Sequence, residues 1–238
     1  MRSLPRSHAA LLLAALALLP GAARAQPGGF DSVEISGAAI VRFTQGATEQ
    51  VKVEGDDEAQ KSVEFEVRGG VLHIRPNGAW KFWNAQRAHI DITARDLRRV
   101  TISGAADFTA TQPVRCDTLD VRISGSGLAR FDKLQAESLR FTVSGAGDGQ
   151  MTGSVNDLQI VVSGRGEFRG ENLLSQRAKV VVNGIGEVRV WAAQTLGVNV
   201  SGVGTVDYWG TPLVERRSSG VAKINERGPK PMPLPTPR

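Results

Sequence analysis

Acidic residues recur at a regular step in this 238-residue chain. Four positions after a repeated serine or asparagine stand Asp107, Asp148, Glu167 and Glu187, with Leu128 and Thr205 interrupting the series. Carboxylates in such a series could do two kinds of chemistry. Two of them flanking a glycosidic bond could cleave a polysaccharide, or a ladder of them could hold metal ions. The calcium-binding nonapeptide repeat requires Gly-Gly-x-Gly-x-Asp, and this chain lacks it. Arg130, Arg169 and Arg189 follow two positions later on the same outward side. Carboxylates stacked about 4.8 Å apart repel by roughly 1 kcal/mol in water, which a solvated face tolerates, so a mixed-charge exterior is the expected role. Asp91, Asp96, Asp107 and Asp148 are the acids to test for catalysis, and nothing ranks them. No catalytic, cofactor or metal residue is assigned.

Nucleophile chemistry has less support. His73 and His89 are the histidines outside the first 25 residues, and both read as strand or surface residues rather than a ligand pair. Cys116 is the single cysteine, so it can form no intramolecular disulfide, and no activating partner is identifiable beside it. It is expected to fill a small position in a strand or turn. The sharpest recognition candidate is "NGAWKFWNAQR", residues 77–87, where Trp80, Phe82 and Trp83 cluster in a loop between strands. Loop aromatics can stack on sugars or anchor a protein; the favoured alternative is that they lid the open end of the solenoid core, since left in water they would form an unusually apolar patch.

The elements that position these residues follow from a repeat. Ser103, Ser124, Ser144, Ser163, Asn183, Ser201 and Ser219 each precede a glycine, at intervals of 21, 20, 19, 20, 18 and 18. Upstream, apolar residues alternate, as in Leu119/Val121/Ile123, Leu139/Phe141/Val143 and Leu158/Ile160/Val162; downstream, alternation resumes through Phe108, Phe168, Val188 and Val206. A period of two in β-branched sequence marks strands facing a core. About 20 residues are too few for two strands and a helical crossover, so successive units are expected to stack as a right-handed parallel β-helix, a solenoid of about 20-residue coils. An antiparallel sandwich is the alternative. The glycine pairs Gly125/Gly127, Gly145/Gly147, Gly164/Gly166, Gly184/Gly186 and Gly202/Gly204 then mark a structural corner that needs either a left-handed backbone or close approach between coils. The serines would stack there as a hydroxyl ladder. A dinucleotide fingerprint is excluded because a strand, not a helix, follows the glycines.

The segment from about Asp31 to Glu226 resembles the head-GIN domain family of auto-transporter adhesin heads. The phrases "VEGDDEAQKSVEFEVRGGVLHIRP" and "ISGAADF", the SGxGx series and the closing "VDYWGTPLVERRSSGVAKI" carry the resemblance. It implies a right-handed β-helical fold and a cell-envelope setting, and brings no catalytic residues with it.

Four segments are expected. Residues 1–25 read as a signal peptide, with Arg2 and Arg6 before an apolar run that ends in Ala23-Arg24-Ala25. Its loss removes three arginines and leaves 26 basic against 24 acidic residues, so formal charge falls from +5 to +2. That small excess gives no ground for a nucleic-acid partner, and no later stretch has the roughly 20 apolar residues of a spanning helix. Residues 26–100 form a strand-rich cap with a Gly69-Gly70 hairpin, where "VEISGAAIVRF" echoes the repeat. Residues 101–228 form the solenoid. Residues 229–238 form a proline-rich disordered tail. The chain is expected in the periplasm or at the cell surface, as a non-enzymatic module that binds a glycan or an envelope protein. The alternatives are a β-helical polysaccharide hydrolase or lyase, and a structural protein that self-associates through the solenoid ends.

Overall fold

The computed structural model describes residues 29–55, 61, 63–77 and 87–231; the expected signal peptide, the cluster of Trp80, Phe82 and Trp83, and residues 232–238 lie outside the described residues. The alternating apolar residues form strands that join one 16-stranded sheet, wound as a β-solenoid whose turns take roughly 20 residues. β9 (Val114–Ile123), β10 (Ser126–Val143), β11 (Ala146–Val162), β12 (Arg165–Val182) and β13 (Ile185–Val200) stack in parallel order. β10 pairs with its neighbours in three stretches, 126–131, 134–136 and 138–143, which are the three sides of one coil.

Inward positions carry the core. Leu119, Val121, Ile123, Leu139, Phe141, Val143, Leu158, Ile160 and Val162 are all buried, and each such side chain contributes about 1.5–3 kcal/mol relative to exposure. Phe43, Phe108 and Phe131 stack with ring centroids 5.9 and 5.7 Å apart, and Phe141 lies 5.0 Å from Phe168. Gly149 lies in register between Ala129 and Phe168, where a Cβ would come within 2.7 Å of the Phe141 ring. A missing side chain makes room for the second aromatic pair.

The corner glycines resolve the choice between conformation and contact. Gly104, Gly125, Gly145, Gly164, Gly184, Gly202 and Gly220 have no left-handed φ. A Cβ at any of them would lie 2.7–2.8 Å from a carbonyl carbon of the preceding coil and 2.0–2.2 Å from a carbonyl oxygen of that coil. The close approach is a hydrogen-bonded one. Ile123 O accepts from both Ser144 N and Gly145 N (2.9 and 3.4 Å), and Gly125 O accepts from Ala146 N at 2.9 Å; the pattern repeats from Ser36-Gly37 to Ser219-Gly220.

For the second glycine of each pair the corner expectation is corrected. Gly127, Gly147, Gly166, Gly186 and Gly204 lie past the corner, each as the second residue of a strand, after Ser126, Ala146, Arg165, Ile185 and Val203. They stack in register on one another or on Ala106 and Ala222, as ordinary rungs of the ladder. What makes them small also changes along the column. A Cβ at Gly127 would meet Ala106 O at 1.8 Å and one at Gly166 would meet Gly147 O at 2.3 Å, so backbone still crowds these two. At Gly147 the nearest atom is a methyl of Ile123, at 2.6 Å. At Gly186 and Gly204 the nearest are methyls of Val162, Val182 and Val200, at 3.2 Å, which need yield only a few tenths of an ångström. Neither a left-handed turn nor a carbonyl contact therefore demands glycine at Gly186 and Gly204. The expected hydroxyl ladder takes another form as well: Ser36 and Ser103 donate to the backbone carbonyls of Ile74 and Ile35 (3.2 and 3.3 Å), and Ser201 donates to Asn183 Oδ1 at 2.9 Å.

The N-terminal strands enter the stack out of order. β1 (Ser32–Ile35) lies between β5 (Val71–Pro76) and β7 (Arg99–Ile102), and β2 (Ala38–Gln45) lies between β6 (Ala88–Ala94) and β8 (Ala105–Ala110), all parallel. "VEISGAAIVRF" is thus a coil of the solenoid. β3 (Gln50–Glu54) and β4 (Val63–Arg68) then close this end, antiparallel to β6 and β5. Gly69 and Gly70, with φ of 59° and 77°, make the two-residue turn between β4 and β5, where positive φ at both central positions matches the twist of the hairpin.

At the other end, β14 (Val203–Trp209) and β15 (Leu213–Ser218) stack on β13, and β16 (Val221–Glu226) stacks on β14. Here Val214 and Ile224 still pack on the core, but two inward positions carry charge. Arg216 stands in register with buried Val198, and Glu226 with buried Tyr208. Tyr208 Oη donates to Glu226 Oε2 (3.1 Å) and accepts from Arg216 Nη2 (2.9 Å). Inward charge on the last coil makes a further coil costly to add, a recognised protection for an edge. Beyond β16, Lys230 Nζ bonds Glu171 O and Asn172 Oδ1, and sits 5.4 and 5.5 Å from the rings of Trp191 and Trp209.

Two substitutions test the corner. Gly164→Ala should cost about 1–3 kcal/mol through overpacking and lower Tm by about 3–10 °C, whereas Gly197→Ala, whose Cβ meets nothing within 4 Å, should leave Tm nearly unchanged. Equal melting curves would remove the close-approach account. Replacing Arg216 and Glu226 together with leucine should produce concentration-dependent oligomers in light scattering where the parent chain shows none, and an unchanged mass would remove the capping role.

Candidate functional site

The carboxylate series does form a column. Asp107, Leu128 and Asp148 are in register, as are Glu167, Glu187 and Thr205. Its members are held by the protein itself. Asp107 pairs with Arg87 and accepts from Leu128 N at 3.2 Å; Asp148 accepts from Glu167 N at 2.9 Å. Glu167 binds Arg169 through both oxygens (2.7 and 2.6 Å) and meets Arg189 at 3.3 Å, while Glu187 takes Arg189 at 2.6 Å. Arg130 turns instead to Asp132, at 2.7 and 3.2 Å. The Arg169 hydrogen bonds hold Glu167 below the usual carboxylate range against its partial burial. Such a group is a poor proton donor at neutral pH, whereas the acid of a glycosidase pair needs a raised pKa.

The remaining candidates are dispersed. Asp91 on β6 is clamped by Arg42 at 2.6 and 3.0 Å, whose hydrogen bonds lower its pKa despite desolvation. Asp96 borders a polar hollow with Asp117, Glu137 and Asn156. His73 Nδ1 lies 3.3 Å from Glu34, and His89 is exposed on β6 opposite Glu54. Cys116 stands in β9, half-buried, its thiol pushed up to about 11 by desolvation and by Asp117. Among the described residues no three His, Cys, Asp or Glu side chains group as metal ligands.

A different feature stands out on the side that precedes the Ser-Gly corner. Here one outward column reads Asp120, Arg140, Gln159, Lys179, Gly197, Glu215, and the next reads Arg122, Thr142, Val161, Val181, Asn199, Arg217. Where Gly197 interrupts the side chains, the surface dips into a groove of about 640 Å³ lined by Arg140, Asp157, Arg177, Lys179, Glu215 and Arg217. Asp157 is fully occupied by Arg177, both contacts being 2.6 Å, and Leu213 stands 72% exposed at one end. No sequence motif announces this groove, because its residues lie 18–20 apart and become neighbours only when the coil register is known. The lone glycine at an outward position of a strand was the one available signal. On the far side of the corner, Ile185, Val203 and Val221 form an exposed apolar column in register.

Residues 29–212 match the family described as "Putative auto-transporter adhesin, head GIN domain", a span that ends just before β15. No curated protein matches the chain. Among solved structures, a "putative adhesin" from Bacteroides fragilis NCTC 9343 superposes with a TM-score of 0.79 at 22% identity, over 84% of this chain and 93% of that one. A "putative adhesin" from Parabacteroides merdae ATCC 43184 gives 0.64 at 17% identity, over 84% and 92%. A "putative lipid binding protein" from Parabacteroides distasonis ATCC 8503 gives 0.62 at 20%, over 84% and 94%. At these identities the likeness establishes the fold.

Cys116 provides a test of the local electrostatics. Its alkylation by iodoacetamide should reach half its maximal rate only near pH 11, since the thiolate is the nucleophile; a half-maximal rate near about pH 8.5, the ordinary thiol value, would mean a thiol free of desolvation.

Proposed function

We propose that this chain, which belongs to the head GIN domain family, is an exported, non-catalytic binding module of the cell envelope. Arg2, Arg6 and the apolar run that follows support export, and no helix among the described residues is long and apolar enough to cross a membrane. The observation that carries the reading is the groove over Gly197: an open concavity of about 640 Å³ on an outer strand face, lined by polar side chains that no carboxylate-arginine clamp fully consumes. The carboxylates that a hydrolase would recruit are instead tied to arginines and backbone amides. Trp80, Phe82 and Trp83, on the segment between β5 and β6, are a second contact region in this reading.

The test is binding of the chain from Gln26 to a panel of envelope and extracellular polysaccharides, with reducing ends measured in the same wells. Binding without product release is the expected result. Release of reducing ends would overturn the non-catalytic reading, and silence in both would overturn the polysaccharide as ligand in favour of a protein partner.

A further inference from the structure

Arginines on the described surface are mostly matched by carboxylates. Arg42, Arg75, Arg99, Arg122, Arg130, Arg169, Arg177, Arg189 and Arg227 all stand in ion pairs. Among the described residues Arg95, Arg115, Arg165 and Arg216 lack such a partner singly, whereas around the Gly197 groove unmatched cations gather. Of its four cations only Arg177 has a carboxylate partner among the described residues, and Arg140, Lys179 and Arg217 extend from exposed positions without one. Four cations against Asp157 and Glu215 leave the groove with a charge of +2. Arg140 and Lys179 share one outward column, separated by Gln159. They are therefore two coil rises apart, about 10 Å at roughly 4.8 Å per coil, which is about the length of one disaccharide.

Resting on the envelope-binding reading above, we propose that the groove binds an acidic polysaccharide running along the solenoid axis. Anionic groups on successive disaccharides meet Arg140 and Lys179, and the bare backbone at Gly197 admits a sugar ring between Lys179 and Glu215. Gln159, Asn199, Ser138 and Thr195 supply amides and hydroxyls for sugar hydroxyls, and Leu213 offers an apolar surface at the end of the groove. A nucleic acid fits less well. Its charge density calls for a clustered basic patch with stacking aromatics, and the groove lining contains no aromatic residue.

The experiment is calorimetric titration of the chain from Gln26 with three probes: hyaluronan oligosaccharides, which carry one carboxylate per disaccharide, uncharged chitin oligosaccharides of equal length, and single-stranded DNA. Sulfated chondroitin oligosaccharides then distinguish sulfate from carboxylate as the preferred anion. Binding to an acidic oligosaccharide that weakens as salt rises from about 0.1 to 1 M, where the Debye length shrinks from about 10 to 3 Å, is the expected result. Lys179→Gln and Arg140→Gln should each weaken it about two- to fivefold, the range of exposed charge pairs. Gly197→Leu, which keeps every charge but fills the notch, should weaken it further with Tm unchanged. Equal affinity for the chitin oligosaccharides, or full binding by the Arg140→Gln, Lys179→Gln, Arg217→Gln triple variant, would overturn this site while leaving a polysaccharide-binding module intact. Preference for DNA, or no binding to either sugar alongside silence across the polysaccharide panel, would overturn both.

Discussion

One main-chain contact governs the geometry. At each Ser-Gly corner the peptide of one coil lies so close to the next that no Cβ fits between them, and the amides on either side of the glycine donate into the carbonyls beneath. A fixed separation at one corner fixes the register of every strand that leaves it, and register decides which side chains become neighbours. Like stacks on like within the core for this reason: Phe43, Phe108 and Phe131 follow one another; Gly149 is small because the rings of Phe141 and Phe168 leave no room for a Cβ.

The same stacking creates a problem outside the core. Columns of outward side chains bring equal charges together along the axis, and the chain answers by placing an arginine two positions from an acid on the same strand, as with Glu167 and Arg169 or Asp120 and Arg122. These pairs are exposed and individually weak. Their value lies in neutralising a column rather than in stabilising a coil. Against that background, several unmatched cations gathered around one gap in a column stand apart from the paired columns.

Much of the fold was legible because it depends on short-range periodicity. Alternating residues such as Leu158, Ile160 and Val162 mark strands, and a glycine after serine every 18 to 21 residues marks a corner. The reason for the glycines was only half legible, since a left-handed turn and a crowded one leave the same letter in the sequence and are separated by φ and by the carbonyl of the preceding coil. Spacing alone also joined Gly184 to Gly186 and Gly202 to Gly204 as equals, although the first of each pair is pressed by backbone and the second most closely by valine methyls. The groove was not legible. Arg140, Lys179 and Arg217 belong to three different coils, and nothing local to any of them shows that Gly197 lies between. The acids at Asp107, Asp148, Glu167 and Glu187 were visible as a series, yet their occupation by arginines and amides is a property of packing. Arg216 and Glu226 likewise look like ordinary charged strand residues until register places them over Val198 and Tyr208.

The misplaced first coil has a consequence for the order in which the molecule can assemble. Ser103 and Ile35, neighbours at a corner, are 68 residues apart, whereas Arg177 and Asp157, one coil apart in the repeats, are 20 apart. Since closure entropy rises with the logarithm of span, the first contact costs about 1 kcal/mol more than one between successive repeats. The coil made of β1 and β2 must also wait for partners on both flanks, β5 and β6 on one and β7 and β8 on the other. A chain that emerges amino end first therefore carries its opening strands as unmatched edges until about residue 110, after which every new coil finds a finished template beneath it.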